Sequence, residues 1–345
     1  MIDKCTQFHE SFPTEWDTAP ETENEVLLRL KQNPFLSDSY HSLNNEWRKR
    51  FLDFCQGKAS LPLTYDPFFK RIFHPDIHPD RLSRLISSLL SIKVRILRIL
   101  PTEDSVLDGS TLLIMDLLGE LEDGSLINVE IQKQGYAFPA ERISCYSADL
   151  VMRQYTRVKG VKGSSFTYRD IKKVYVIVIF EKSTAAFHDI PDAYVHYGET
   201  VFNTGLRLKL LQEYCLIALD VFCKFPYTKE KNEQTAWLSL LTTESLADAE
   251  QLIRDYPWLK EIYQEIAMLR QKPEEVLGMF SEALRILDRN TVKYMVEEMQ
   301  KELDEKNALL SEKDSLLTEK DLNAKKQEEI IRKLQEEIAA LKQQA

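Results

Sequence analysis

The chain is poor in cysteine and has no long apolar run. Its five cysteines are scattered, and none is spaced from another cysteine or a histidine as zinc ligands are. We therefore predict reduced thiols and a cytoplasmic protein. No segment approaches the roughly 18 apolar residues of a membrane span, and the opening MIDKCTQFHESFPTEWD does not have the pattern of a signal peptide. These features predict no membrane partner.

Positive charge is also scarce. Lys and Arg number 45 against 55 Asp and Glu, for a net charge of −10, which argues against nucleic-acid binding over the whole surface. One segment differs, because eight basic residues lie between Arg142 and Lys173, against three acidic residues in or beside it. This local excess suits a phosphodiester backbone. The alternative is an ordinary solvated helix face.

The stretch IMDLLGELEDGSLINVEIQKQ, residues 114–134, has the pattern of a β-hairpin. We predict strands at 112–118 and 126–132. The first strand is apolar except for Asp116. The second alternates, so that Glu130 and Gln132 point to one side and Ile131 to the other. Because its neighbours are apolar, the carboxylate of Asp116 needs a partner.

The length of the loop decides which residues of this hairpin are opposed. A two-residue turn at Asp123-Gly124 would place Asp116 opposite Ile131, on the apolar face. A three-residue loop that includes Glu122 would place Asp116 opposite Glu130, with Gly124 in the left-handed conformation. Opposed carboxylates repel each other unless a cation or a proton lies between them. The longer loop therefore predicts a site for Mg²⁺. The alternative is two acids on the solvated face of an edge hairpin.

Periodicity predicts the order helix, strand, hairpin, helix, strand around this motif. We predict Asp66 as the N-cap of a helix with Pro67 at its first position, and a second helix from Pro79. Further strands are predicted at 93–100, 173–180, 193–197 and 206–222. Further helices are predicted at 23–31, 39–56, 138–160, 233–241, 244–254, 259–270 and 273–288.

The sequence from Val292 onward contains neither glycine nor proline and fits a heptad repeat. Its a positions are apolar throughout, whereas the middle d positions are Lys306, Lys313 and Lys320. We predict a coiled coil, most simply a parallel dimer. The alternative is a single charged helix held by pairs four residues apart. The a positions are Val296, Leu303, Leu310, Leu317, Ala324, Ile331 and Ile338.

Five segments in order, DPFFKRIF, LLIMDLLG, DGSLINVEIQ, AERISCYSADLVMRQY and KKVYVIVIF, resemble the PD-(D/E)XK nuclease family transposases, which include the recombination-promoting nucleases. The resemblance covers about residues 65–225. It implies an α/β fold with a restriction-endonuclease-like mixed sheet flanked by helices and an αβββαβ core. The predicted domains are an N-terminal extension with helices (1–60), the nuclease-like domain (61–228), a helical region (229–290) and a coiled coil (291–345).

The resemblance also implies site residues. Asp116 and Glu130 match the two metal-binding acids, and the main-chain carbonyl of Ile131 would be a further ligand for Mg²⁺ or Mn²⁺. Gln132 occupies the position of the catalytic lysine in the wider superfamily, and a glutamine can orient a water but carries no charge. Lys133 should point to the opposite face of a regular strand and cannot replace that lysine without a bulge. Asp66 matches the first-helix motif, and the possible contacts with DNA are Lys70, Arg142, Tyr146 and Arg153.

Two functions follow as expectations. The first is a metal-dependent DNA endonuclease that hydrolyses phosphodiester bonds in a transposition or recombination setting. The second is a catalytically inactive, nuclease-like interaction protein that oligomerises through its coiled coil.

Overall fold

A computed structural model describes residues 22–100, 117–135, 140–224, 231–288 and a subset of positions between 299 and 327. The chain divides into two compact units, residues 1–285 and 286–345. Within the described residues, no helix combines the length and apolarity that crossing a membrane requires. The α-helices described between residues 22 and 288 are α1 (Glu23–Lys31), α2 (Pro34–Ser42), α3 (Asn45–Cys55), α4 (Asp66–Phe73), α5 (Pro79–Leu90), α6 (Ala140–Lys162), α7 (Ala185–His188), α8 (Leu219–Phe222), α9 (Glu233–Thr242), α10 (Leu246–Asp255), α11 (Lys260–Leu269) and α12 (273–288).

The first unit contains a six-stranded mixed sheet. Its strands are β1 (Ile96–Leu100), β2 (Leu117–Leu121), β3 (Leu126–Gln134), β4 (Val174–Lys182), β5 (Val195–Glu199) and β6 (Gln212–Ala218). The spatial order is β1-β2-β3-β4-β6-β5, in which β4 is parallel to both β3 and β6 and the other pairs are antiparallel. The series α5, β1, β2, β3, α6, β4 matches the predicted αβββαβ order. The apolar run VYVIVIF lies in β4 and is buried, as expected for a central strand.

The β2–β3 hairpin has the predicted three-residue loop. Leu117 pairs with Val129, and the pairing continues to Leu121, whose N–H donates to the carbonyl of Ser125 at 2.9 Å. Residues 122–124 form the loop, and Gly124 has φ +85°, a conformation that side chains with a Cβ rarely adopt. The register prediction is therefore confirmed for the described part of the hairpin. Residues 112–116 of the first predicted strand lie outside the described residues.

Helices cover both faces of the sheet. The face formed by Leu118, Leu126 and Val176 packs against Tyr146 and Leu150 of α6. On the other face, α5 lies against β1 and β6. The hydroxyl of Ser83 accepts from the N–H of Ile96 at 3.0 Å, and the carbonyl of Leu89 accepts from the Sγ of Cys215 at 3.6 Å. Because side chains alternate along a strand, each residue of β3 faces one helical layer or the other.

The helices after residue 231 share a core with the helices before the sheet. The ring of Phe280, on α12, is buried and lies 4.9 Å from Phe68 and 5.8 Å from Trp47, between ring centroids. Trp237, on α9, contacts Phe73 at 5.6 Å. These aromatic contacts join α9 and α12 to α3 and α4 in one apolar cluster. The predicted boundary between residues 228 and 229 stays a prediction.

Three local predictions are wrong. The predicted helix 39–56 is two helices, because Leu43 is extended and the side chain of Asn44 accepts from the N–H of Trp47 at 3.0 Å, which starts α3. The predicted strand 206–222 is strand only over Gln212–Ala218, and α8 follows it.

The third correction concerns Asp66. The N-cap of α4 is Tyr65, and Asp66 is the first residue of the helix. The carboxylate of Asp66 lies 2.9 Å from the Nζ of Lys70, one turn later. In the described contacts, Asp66 thus forms an ion pair with Lys70 from the first helical turn. The helix dipole also favours an acid at this position.

The second unit is described only in part. The described positions between 299 and 327 are helical. Among the described positions from 299 to 327, the large apolar side chains are exposed by half or more, and they include Met299, Leu303, Leu310 and Leu317, all at predicted a or d positions. An isolated helix with such a stripe has apolar surface to cover. The coiled coil stays a prediction.

Candidate active site

Glu130 lies on β3 and is buried, with 3% of its surface exposed. It is on the face that packs against α6, because Leu126 is on that face and alternate residues share it. Asn128 precedes it on the same face, is completely buried, and donates from Nδ2 to the Oε1 of Glu130 at 3.1 Å. A carboxyl group so far from bulk water is costly unless it binds a donor or a cation.

Gln132 and Lys133 lie on opposite faces of the sheet, as predicted. Pairing between β3 and β4 is regular from Leu126 to Gln134, with no bulge that could turn Lys133 towards Glu130. Gln132 therefore shares the face of Glu130. Lys133 instead meets Thr64 and Glu181, and it donates to the Oγ1 of Thr64 at 2.7 Å.

Lys133 sits in a tight, mostly buried cluster. Its ammonium group is bonded to the carboxylate of Glu181 and lies 3.1 Å from the ring centroid of Tyr65. Burial lowers the pKa of Lys133 to about 8, although the neighbouring Glu181 acts in the opposite sense. The side chain of Lys133 thus lies on the sheet face opposite α6, and its positive charge does not reach the face of Glu130.

Asp116 lies outside the described residues. No group of three acidic, histidine or cysteine side chains suited to a metal occurs within the described ranges, which leave out residue 116. The donors that are described fit a hard cation by their chemistry, because a buried carboxylate, a main-chain carbonyl and an amide are all oxygen ligands. The buried Oδ1 of Asn128 also has no hydrogen-bond partner among the described residues. Glu130, the carbonyl of Ile131 and Gln132 are the residues that could face Mg²⁺ or Mn²⁺.

Glu120 is a second buried acid on the same face, but it is already neutralised. Its carboxylate lies 2.6 Å from Arg157 of α6 and 2.7 Å from Arg98 of β1. Although burial acts in the opposite sense, these two guanidinium groups hold the pKa of Glu120 below its ordinary range. Glu120 also pairs with Leu126, four residues before Glu130 along β3, a separation of about 13 Å.

Two of the predicted DNA contacts are at the start of α6. Arg142 donates from Nε to the hydroxyl of Tyr146 at 2.9 Å, and its guanidinium lies 5.3 Å from the centre of that ring. Tyr146 is completely buried in the cluster between α6 and the sheet. This hydrogen bond orients the guanidinium group of Arg142.

The other two predicted contacts have acidic partners. Arg153 bonds the buried carboxylate of Asp149 at 2.6 Å, and only 10% of its side chain is exposed. Lys70 lies beside Asp66 on α4, and none of its described contacts reaches the Glu130 face. The DNA-binding roles of all four residues therefore stay predictions.

Sequence analysis missed Asn128 and Asp149 as structural members of this region, and it missed the partners of Lys133. Asn128 could have been found, because it is two residues from Glu130 on the same side of an alternating strand. The pair of Asp149 and Arg153 also had a signal, since residues four apart on a helix are neighbours. The partners of Lys133 had none, because Thr64 and Glu181 are distant in sequence.

The sequence matches a model of a known protein family. The family model for the PD-(D/E)XK nuclease family transposases matches residues 63–298, about two thirds of the chain. The match continues past residue 225, where the sequence motifs end, and it includes helices α9–α12. No curated protein and no solved structure matches the chain. The chain therefore belongs to the PD-(D/E)XK nuclease family transposases.

Proposed function

We propose that the protein is a metal-dependent DNA endonuclease associated with transposition or recombination, with its active site on the α6 face of the β2–β3 hairpin. Family membership supports a nuclease function. The observation that carries the site is the buried Glu130 in a hairpin with a three-residue loop. Continuing that register by one residue would place Asp116 opposite Glu130, which is the arrangement the site requires.

Each residue has a proposed role. Asp116, Glu130 and the carbonyl of Ile131 would hold the cation, and Gln132 would orient the attacking water or a phosphate oxygen by hydrogen bonding. A bound Mg²⁺ or Mn²⁺ would lower the pKa of a water and neutralise charge on the phosphate. Arg142, fixed by the hydroxyl of Tyr146, would contact the DNA backbone.

A plasmid-nicking assay with Mg²⁺ or Mn²⁺ tests this proposal. Asp116→Asn and Glu130→Gln remove the charge of each ligand with little change of shape. We expect each to lower the nicking rate at least about 100-fold, because a catalytic metal supplies several kcal/mol of transition-state stabilisation. Calorimetric titration with Mn²⁺ should show weaker binding in the same two variants.

Glu122→Gln is the matched control. It makes the same chemical change in the same hairpin, but Glu122 lies in the exposed loop beside Arg95. Nicking by this variant should equal that of the wild type. If all four proteins nick equally, the activity is a contaminant and the proposed site is wrong.

A second function has a specific observation in its favour. On the described strand β3, the Glu130 face carries Gln132 where the wider superfamily has lysine, and Lys133 is engaged on the other face. A nuclease-like domain without activity would act as an interaction module. Absence of nicking with either metal, in a protein that is folded and oligomeric, would favour this second function.

We also propose that residues 291–345 form a parallel, dimeric coiled coil. The exposed apolar residues at positions 299, 303, 310 and 317 support it, because pairing two copies would cover them. Two catalytic domains joined in this way would suit cleavage of both strands of a duplex.

A further inference from the structure

Three aromatic side chains cluster at the C-terminal end of α6. Tyr155 is on the helix, and Phe166 and Tyr168 are in the segment that follows it. The ring centroid of Phe166 lies 5.5 Å from that of Tyr155 and 5.5 Å from that of Tyr168, with interplanar angles of 86° and 71°. Tyr155 and Tyr168 are nearly parallel, with 15° between their planes and 6.2 Å between their centroids. We call these three residues the aromatic platform.

Tyr168 is the most exposed member of the platform, with 76% of its surface accessible. Its position is nevertheless fixed by the chain around it. The carboxylate of Asp170 accepts from the N–H of Thr167 at 2.8 Å and also pairs with Lys162. Gln154, which is completely buried, accepts from the N–H of Lys172 at 2.8 Å. Tyr168 is thus an exposed ring on a turn that is held in place by hydrogen bonds.

The uncompensated positive charge of the basic segment is concentrated here. Arg153 and Arg157, earlier on α6, are paired with Asp149 and Glu120. By contrast, Lys159 donates to the hydroxyl of Tyr155 at 2.7 Å and forms no ion pair with an acid within the described residues.

Two further cations complete this arrangement. Arg169 and Lys172 are exposed, and neither is paired with an acid in the part of the chain that the structure describes. Lys172 lies beside Gly124 of the hairpin loop, but the loop acids have other partners. Asp123 accepts from the hydroxyl of Ser125, and Glu122 faces Arg95.

We propose that the aromatic platform and its cations bind unpaired nucleotides of a DNA strand, with Tyr168 stacking on a base and Lys159, Arg169 and Lys172 contacting the phosphates. Exposed aromatic rings interleaved with cations are the arrangement that holds single strands without reading their sequence. Tyr155 follows Arg142 by 13 residues on one helix, about 20 Å along its axis. The platform is therefore a second contact, separate from the candidate active site. This inference rests on the proposed action on DNA.

Fluorescence anisotropy with the full chain tests the proposal, using a labelled oligothymidine of about 20 nucleotides and a duplex of the same length. EDTA is present, so that binding is measured without hydrolysis. We expect Tyr168→Ala to weaken single-strand binding about tenfold or more, as for the loss of one base–aromatic stack. Duplex binding should fall less. Tyr168→Phe keeps the ring and should bind like the wild type.

Two further variants separate stacking from charge and from general effects. Arg169→Ala should reduce the slope of log K against log salt by about 0.7, the value for one phosphate contact on a single strand. Phe35→Ala removes an equally exposed ring, 75% accessible, on α2, and should leave binding unchanged. Circular dichroism should show that all variants are folded.

The outcomes are distinguishable from those of the nicking assay. If the wild type fails to bind the single strand, or if Tyr168→Ala binds as well as the wild type, the platform is not a DNA site and a protein ligand becomes the better hypothesis. If Tyr168→Ala loses binding while the wild type never nicks DNA, the platform proposal stands and the endonuclease proposal fails. If Glu130→Gln loses nicking but retains single-strand binding, both stand.

Discussion

The buried Lys133 makes the stability of the protein depend on pH in a predictable direction. Its pKa is lowered from an ordinary 10.5 to about 8 because its charged form is poorly solvated. Between these two values the unfolded chain binds a proton that the folded chain does not. Stability therefore rises with pH across this window, and the rise ends as pH passes the unfolded pKa.

The size of the effect follows from the same two values. Going from about pH 7.5 to about pH 9.5, the contribution of Lys133 to the free energy of unfolding should rise by about 2 kcal/mol. The charged groups around it are Glu181 and Glu244, which favour the ammonium form, and Arg50, which disfavours it. Their effect is already included in the lowered pKa.

Urea denaturation of the wild type and of Lys133→Met at these two pH values measures the contribution. Methionine keeps the length and apolar character of the side chain but cannot titrate. Other groups that titrate in this range, such as cysteine thiols, do so in both proteins, so the difference between the two pH dependences isolates Lys133. Glu181 is 36% exposed and retains the hydroxyl of Thr64, so its carboxylate stays solvated in the variant.

Two results would refute this reasoning. One is the same pH dependence in both proteins, which would mean that Lys133 is solvated. The other is a loss of nicking by Lys133→Met with unchanged stability, which would place this lysine in the active site and Gln132 outside it. The matched control is Lys58→Met, an exposed lysine that should change neither quantity.

Three further predictions concern the remainder of the chain. Phe280→Ala should destabilise the whole domain by about 3–5 kcal/mol, because a buried ring is lost from the cluster that joins α12 to α3 and α4, and chemical denaturation should show a single transition at a lower midpoint. Glu265→Gln should cost about 2 kcal/mol at neutral pH. Although burial acts to raise it, the bond from Arg81 holds the pKa of Glu265 below 4.5, so this difference should vanish as pH falls through the lowered pKa of the folded state. Replacing Leu303, Leu310 and Leu317 together with glutamate should convert a dimer to a monomer in sedimentation velocity, and a dimer that survives would place the interface elsewhere.

The hairpin could be predicted because its determinants are local. Gly124 stands where a three-residue loop needs a left-handed residue, and alternation fixes which face each residue of β3 occupies. The opposite orientations of Gln132 and Lys133 follow from the same rule. The start of α4 was less predictable. Asp66 is favoured both as an N-cap and in the first helical turn, and Pro67 is accepted throughout that turn, so the two residues do not fix the boundary.

The electrostatics of the basic segment could be predicted only in part from the sequence, because the Asp149–Arg153 pair is local and the partner of Arg157 is not. Counting charges shows that the segment has an excess of positive residues, but it does not show which of these residues form ion pairs with acids. The partner of Arg157 is Glu120, an acid on strand β2 and 37 positions earlier in the chain. Packing thus removes Arg153 and Arg157 from the cationic surface and leaves Lys159, Arg169 and Lys172. The cationic surface therefore lies near the C-terminal end of α6, whereas the charge count spreads it over the whole segment from Arg142 to Lys173.

This redistribution bears on how a phosphodiester would be stabilised at Glu130. In the proposed site, the neutral Gln132 takes the position of the superfamily lysine, and Lys133 is held on the opposite face by Glu181. In the proposed nuclease, charge developing on the phosphate would be met by a metal or by Arg142, whose guanidinium is oriented by its hydrogen bond to the hydroxyl of Tyr146. Removing Mg²⁺ should consequently abolish nicking rather than slow it. Arg142→Lys should not restore what Arg142→Ala loses, since an ammonium cannot reproduce the planar, bidentate contact of a guanidinium with phosphate.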